Sequence, residues 1–510
     1  MAVESEKRWK SFAKLDTAEL GWFHLRSVIV AGTGFFTDAY DIFVISQALP
    51  MIYTVYYPEY NVTFTSSYPG GKHLDAWMKA STSWGNLVGQ IGFGILADKL
   101  GRKKMYGVEL IIMIVCTIGS CLAAPIYSLN ILVILSVWRF FLGVGIGGDY
   151  PMSAIITSEF ANVQSRGFLM ASVFAMQGAG ILLGGIVYYA TLEGMTTLIQ
   201  ADYRSIDIVW RLGLGIGIIP AIIALYFRLT IPETPRYTVD VIGDTNKGTS
   251  DIDMVLQLNK VKEISTTWNQ DEVAVANTTT KNNSWSGFKE YFCKWQNTKT
   301  LIGTAYCWFA LDVAWYSLQL NQSTLLKTIG YTPDFNAGAW AYFRQSAIGN
   351  LIIAVGGSIP GYIVCILLIE RLGRKKIQII GFVMVAILLA VLAGLWNTIQ
   401  GQREGFLVLY ILVQFFIQFG PNTTTFVIPG EVFPTRFRST AFGISAAAGK
   451  AGAIIGIQLV GPSNDSNPAL PLWIFAGVML SGALATFLLP ETKDKTLEEL
   501  SNEGEVIIGA

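Results

Sequence analysis

Apolar residues run along this chain in long stretches, without the alternation of half-buried strands or the one-sided stripes of soluble helices. Twelve stretches stand out: 27–53, 76–98, 104–124, 129–156, 167–191, 208–231, 299–322, 344–369, 376–396, 405–430, 438–461 and 471–489. Each has the length, roughly twenty residues or more, that an α-helix needs to cross a bilayer. Lipid offers the backbone no hydrogen-bond partner, so spans of this kind must be helical. The pattern predicts an all-α membrane protein of twelve helices.

The connections set its orientation. Lys99, Arg102, Lys103 and Lys104 follow the second span and Arg371, Arg374, Lys375 and Lys376 follow the eighth, while the connection between spans three and four carries no charge. The preference of lysine and arginine for the cytoplasmic side places both termini there. Residues 54–74 become the longest extracellular connection, with a glycosylation acceptor pattern at Asn61-Val62-Thr63 and a second one at Asn464-Asp465-Ser466. Met1 to Asp16 is polar and charged, which predicts no cleavable signal and makes the first span its own insertion signal.

A second pattern lies over the first. The run Asp98-Lys-Leu-Gly101-Arg102-Lys-Lys104 returns as Glu370-Arg-Leu-Gly373-Arg374-Lys-Lys376, and Glu159 and Arg166 return as Glu431 and Arg438, each 272 residues on. Pro232-Glu-Thr234 is echoed by Pro490-Glu-Thr492. Such repetition predicts a tandem duplication with a substrate site between the halves near the membrane midplane. The expected organisation is a tail at 1–26, a six-helix half at 27–231, a polar linker at 232–298, a second half at 299–489 and a tail at 490–510.

Composition narrows the function. Hydrophobic residues make up 52% of the 510 and charged ones 14%, which excludes an ordinary soluble enzyme and a disordered chain. A net charge of zero leaves no basic excess for a nucleic-acid partner. The five cysteines show neither a disulfide framework nor metal-ligand spacing. With no nucleophile–base constellation and no cofactor motif, catalysis has no support.

Candidate chemistry is therefore sought among polar groups inside the spans, where they are costly and tend to be functional. Trp138–Pro151 sets Arg139 and Asp149 among Gly143, Gly145, Gly147 and Gly148. Asp38 and Asp41 lie three apart and share a helix face; Asp41 serves either transport or helix–helix hydrogen bonding. Trp308, Asp312 and Tyr316 form a stripe at four-residue spacing. Asn422 follows a helix-breaking Gly420-Pro421. Gln177 and Lys450 complete the set, Gln177 being either a ligand or a helix-pairing amide.

Taken together these residues resemble the phosphate:proton symporter family of the major facilitator superfamily, which includes fungal and plant high-affinity transporters. The specific matches are Gly147-Gly-Asp-Tyr-Pro-Met-Ser153, Ile155-Ile-Thr-Ser-Glu-Phe160, Thr37-Asp-Ala-Tyr-Asp41 and Gly420-Pro-Asn-Thr-Thr-Thr425 leading to Pro429-Gly-Glu-Val-Phe-Pro-Thr435. The resemblance implies that Tyr150, Gln177, Trp308, Asp312, Tyr316 and Asn422 hold a phosphate group with Lys450 beside it. It places Asp38 and Asp149 in the proton path, and Arg139 resembles the partner of the span-one carboxylate. Neutral donors suit phosphate oxygens. Asp312 does not, unless it is protonated when an anion is bound. His24 and His73 lie outside the membrane depth, so proton carriage falls to carboxylates.

The run Ala175-Met-Gln-Gly-Ala-Gly-Ile181 departs from the family's Ala-Asn-Gln-Ala-Trp-Gly-Gln, and Phe442 stands where the family has histidine. Losing a tryptophan at Ala179 is expected to open space beside the phosphate cradle. The resulting expectation is a plasma-membrane importer of a glycerophosphodiester such as glycerophosphocholine, driven by protons, with no obligatory protein partner. Inorganic phosphate is the alternative substrate, and a nutrient-sensing transceptor the alternative of another class. A sugar carrier of the same fold would not need the buried aspartates.

Overall fold

The computed structural model describes residue 16 and residues 21–127, 129–229, 234–242, 244, 250, 285–399, 402–460 and 469–501. The acceptor pattern at 464–466, the linker residues 251–284 and the tail beyond 501 lie outside the described residues.

Twelve helical segments follow one another. α1 runs Trp22–Phe43 and continues as Ile45–Tyr56. α2 is Gly71–Leu100, α3 Val108–Cys121, α4 Ile131–Phe160 and α5 Arg166–Gly194. α6 comprises Ile206–Gly215 and Ile218–Arg228. α7 is Trp295–Leu320, α8 Ala339–Leu372, α9 Arg374–Gly394, α10 Arg403–Val432, α11 Arg438–Ile455 and α12 Leu470–Ala485. Among the described residues no strand occurs, only an isolated bridge between Ile126 and Leu129.

Among the described residues, nine of these stretches are long and apolar enough to cross a membrane. α3 is shorter at 14 residues, and α2 and α7 are long but more polar, α2 burying Asp75, Lys79, Asn86 and Gln90 along its length. Ile111, Val115, Ile118 and Leu122 repeat along α3 and are exposed, as are Ile219, Ile222, Ile223 and Tyr226 on α6. An apolar outer face of this kind is stable against lipid tails rather than water.

The repeated motifs act as hinges between helices. Gly101 and Gly373, 272 residues apart, take φ of 103° and 85° at the ends of α2 and α8, a region that disfavours side chains. Packing repeats as well: α2 lies against α11, and its counterpart α8 lies against α5, the counterpart of α11. These two contacts join the first six helices to the last six. Asp16, Arg236 and Glu498 meet at one end of the bundle, hereafter the terminal end.

Candidate functional site

Midway along the bundle, side chains from six helices converge. α7 presents Trp308, Asp312 and Tyr316 on one face, as their spacing predicts. Lys450 of α11 reaches them, donating to Asp312 Oδ2 at 2.8 Å and to Tyr316 Oη at 2.7 Å. Its ammonium also lies 5.3 Å from the Tyr150 ring and 4.1 Å from the Tyr316 ring, within cation–π range. Tyr150 of α4 packs tilted against Trp308 at 6.4 Å. All of these residues are buried.

A second arm is built of amides. Gln177 Nε2 of α5 donates to Tyr150 Oη at 3.2 Å, while its Oε1 accepts from Tyr362 Oη at 2.8 Å and from Asn422 Nδ2 at 3.1 Å. Asn422 also donates to Tyr362 Oη at 2.9 Å and to Gln418 Oε1. Its placement follows from the break in α10, where residues Gln418–Asn422 form a wide turn and Gly420 has φ −108° and ψ −106°. Phe442 closes one side, edge-on to Trp308 at 5.5 Å and to Phe426 at 5.7 Å. The predicted set of Tyr150, Gln177, Trp308, Asp312, Tyr316, Asn422 and Lys450 thus forms one continuous polar cluster.

A carboxylate cluster borders it. Both oxygens of Asp38 are buried without a hydrogen-bond partner, and the carboxylate interacts with that of Asp149 and with Arg228. Arg228 Nη2 donates to Asp149 Oδ2 at 2.5 Å and Nη1 to Glu109 Oε1 at 2.7 Å. Ser153 donates to the other Asp149 oxygen. The α1 backbone leaves room for the cation only because residue 34 is glycine: a Cβ there would lie 1.5 Å from Arg228 Nη2. Asp41 also acts on Asp38, while its own Oδ2 accepts from Thr117 at 3.1 Å.

Arg139 lies beside a span-one carboxylate, that of Asp41, with which it interacts electrostatically, and its Nη2 donates to the backbone carbonyls of Asp41 and Ile42 at 3.1 and 3.2 Å. The acidic cluster is paired by Arg228, which with Glu109, Tyr362 and Gln418 was missing from the sequence-based set. Around Gln177, Met176 faces Gly32 of α1, Ile181 lines a separate cleft, and Tyr362 donates to Gln177 and packs against Gly178.

A family profile described as Sugar (and other) transporter matches residues 27–503. The repressible high-affinity phosphate permease of Neurospora crassa is 42% identical, over 98% of this chain and 90% of its own. The inorganic phosphate transporter PHO84 of Saccharomyces cerevisiae is also 42% identical, over 97% and 87%. Among solved structures, the major facilitator superfamily proton:xylose symporter XylE bound to 6-bromo-6-deoxy-D-glucose matches with a TM-score of 0.72 at 20% identity, over 94% of this chain and 98% of that one. That likeness is one of fold, and the fold is the twelve-helix major facilitator architecture.

Proposed function

Because the chain belongs to the sugar (and other) transporter family, we propose that it is a symporter carrying inorganic phosphate together with protons across a membrane. Relatives at 42% identity that carry phosphate support this substrate. The observation that carries the reading is Lys450 held between Asp312 and Tyr316 inside a ring of neutral donors. In this buried ion pair Asp312 Oδ1 has no hydrogen-bond partner, and an oxyanion can compete with the carboxylate for the same ammonium.

In this reading phosphate takes Lys450 from Asp312 and receives further hydrogen bonds from Tyr150, Gln177, Trp308, Tyr316 and Asn422. An ionised Asp312 left beside the anion would repel it, so Asp312 takes up a proton as phosphate binds. Binding and protonation then become one event. Asp38 shares a second proton with Asp149, since Arg228 compensates only part of the charge of Asp38, Asp149 and Glu109. Asp41 and Arg139, which interact, are further members of the proton path.

The six-helix halves at 27–231 and 299–489 are the bodies that rock about this site, with 232–298 as their linker. The terminal end faces the cytoplasm and the membrane is the plasma membrane, in keeping with the basic Arg102 and Arg374 connections. The relatives that carry phosphate favour it over a glycerophosphodiester.

Reconstituted protein under a pH gradient, acidic outside, is expected to accumulate labelled phosphate and not labelled glycerophosphocholine. Preferential diester uptake would reverse the assignment. Asp312→Asn is expected to abolish proton-driven accumulation, and a variant that still concentrates phosphate against its gradient would remove Asp312 from the coupling.

A further inference from the structure

A second polar space lies between the central site and the end opposite the termini. It is a small, partly open cleft between α1, α5, the end of α7 and α8, with a cavity volume of about 20 Å³, and none of its lining residues is charged. Gln47, Gln319, Gln322 and Asn350 supply its amides, and Gln47 at its edge is half-buried. Gln319 and Gln322 are 5% and 2% exposed. Each keeps a side-chain oxygen with no hydrogen-bond partner in the protein.

The free oxygen of Gln322 is fixed by its neighbours. Its Nε2 donates to Asn350 Oδ1 at 2.7 Å, and Asn350 Nδ2 donates to the Ser346 carbonyl at 2.9 Å and to Ser323 Oγ at 3.4 Å. Turning the Gln322 amide over would set two acceptors against each other. The cleft therefore offers acceptors to whatever enters it, and a buried acceptor is costly to leave unmet. Dihydrogen phosphate brings two O–H donors. Sulfate at neutral pH brings none.

A single ring separates this cleft from the central site. Phe43 lines the cleft and packs 5.0 Å from Trp315 and 5.5 Å from Tyr316, the tyrosine bonded to Lys450. Without a charge the cleft would hold an anion loosely, as a stage on a through-route must. We infer that it is an outer waiting site for dihydrogen phosphate, in which Gln319 and Gln322 accept from the ligand's O–H groups and Phe43 is the door to the centre. The inference rests on the phosphate reading above.

The test uses Gln47→Cys in the full chain, reconstituted, with an impermeant maleimide applied from the cleft side; Ile181→Cys on the opposite wall is the second reporter. Inorganic phosphate below neutral pH is expected to slow alkylation severalfold, and sulfate at equal ionic strength to leave it unchanged. The protection is expected to persist when the central pair is stripped by Asp312→Asn with Lys450→Met. It is expected to disappear when Gln319→Met and Gln322→Met are added. Protection that vanishes with the stripped centre, or that sulfate reproduces, overturns the waiting site. Phosphate uptake by the otherwise unaltered protein without any protection overturns it alone, and absence of both overturns the phosphate reading as well.

Discussion

Arg228 bridges two carboxylates from different helices, and its position depends on an atom that is missing. A Cβ on residue 34 would lie 1.5 Å from Nη2 and 2.3 Å from Asp149 Oδ2, so Gly34→Ala must displace the ion pair. Breaking a buried pair costs about 3–5 kcal/mol because it leaves charge uncompensated. The expected result is a large fall in thermal stability and loss of phosphate uptake. Gly92→Ala, where a Cβ meets nothing within 4 Å, is expected to be neutral or slightly stabilising. Equal behaviour of the two variants in a thermal unfolding assay would refute the steric argument. Asp149 was legible in the sequence as an ionisable group at membrane depth. Its partner was not, because an arginine near the end of the 208–231 span has the pattern of an interface anchor, and a pairing across 79 residues leaves no local trace.

At the scale of elements, apolar runs located every span, but polar residues at helix ends concealed how far the helices extend. α2 begins at Gly71, five residues before its apolar run, and α4 continues to Phe160. The helix ends carry contacts between halves. Asp98, in the last turn of α2, accepts from the backbone amides of Ser439 at 3.2 Å and Thr440 at 2.7 Å, and from the Thr440 hydroxyl at 2.8 Å. It caps the start of α11 from another helix, satisfying donors that α11 cannot satisfy itself. Asp98→Ala is expected to cost about 1–2 kcal/mol, the worth of a good cap. Hydrogen exchange of a peptide covering 438–445 should quicken by the corresponding factor, and unchanged exchange there would rule out capping across the seam. The repeat in the sequence matched Asp98 with Glu370 but could not reveal that each caps a helix of the other half, Glu370 accepting from the amide of Phe168 at 3.0 Å on α5 while also pairing with Arg374.

The whole molecule is held shut differently at its two ends. Opposite the termini, the halves meet through Arg344 and Glu193 at 2.6 Å, each about a third exposed, and through Lys79 donating to Asn321 at 2.7 Å. Exposed pairs contribute about 0–1 kcal/mol. At the terminal end Arg438 donates to Glu159 at 2.9 Å with both side chains buried, and Arg102 donates to the Thr435 carbonyl at 2.6 Å. The repeat supplies these residues twice with different bonding: Arg166, the counterpart of Arg438, interacts with Glu431, the counterpart of Glu159, and donates to Asp16 and the Lys495 carbonyl. The terminal end is therefore the harder to open. Arg438→Gln leaves Glu159 buried with only Arg102 at 3.5 Å. Uncompensated charge of this kind costs about 3 kcal/mol in the closed form and is relieved by water when the end opens, shifting the balance by about a hundredfold. A reporter at Ala154→Cys, on the α4–α10 seam beside Gly430, is expected to be inert to a thiol reagent applied at the terminal end and to become reactive once Arg438→Gln is added. Neutralising the orphaned acid with Glu159→Gln is expected to restore most of the protection, because the penalty lies in the unpaired carboxylate and not in the lost arginine. Protection that stays absent in the double variant would mean that the arginine's donation to the Phe433 carbonyl at 2.8 Å, and not the ion pair, keeps this end closed.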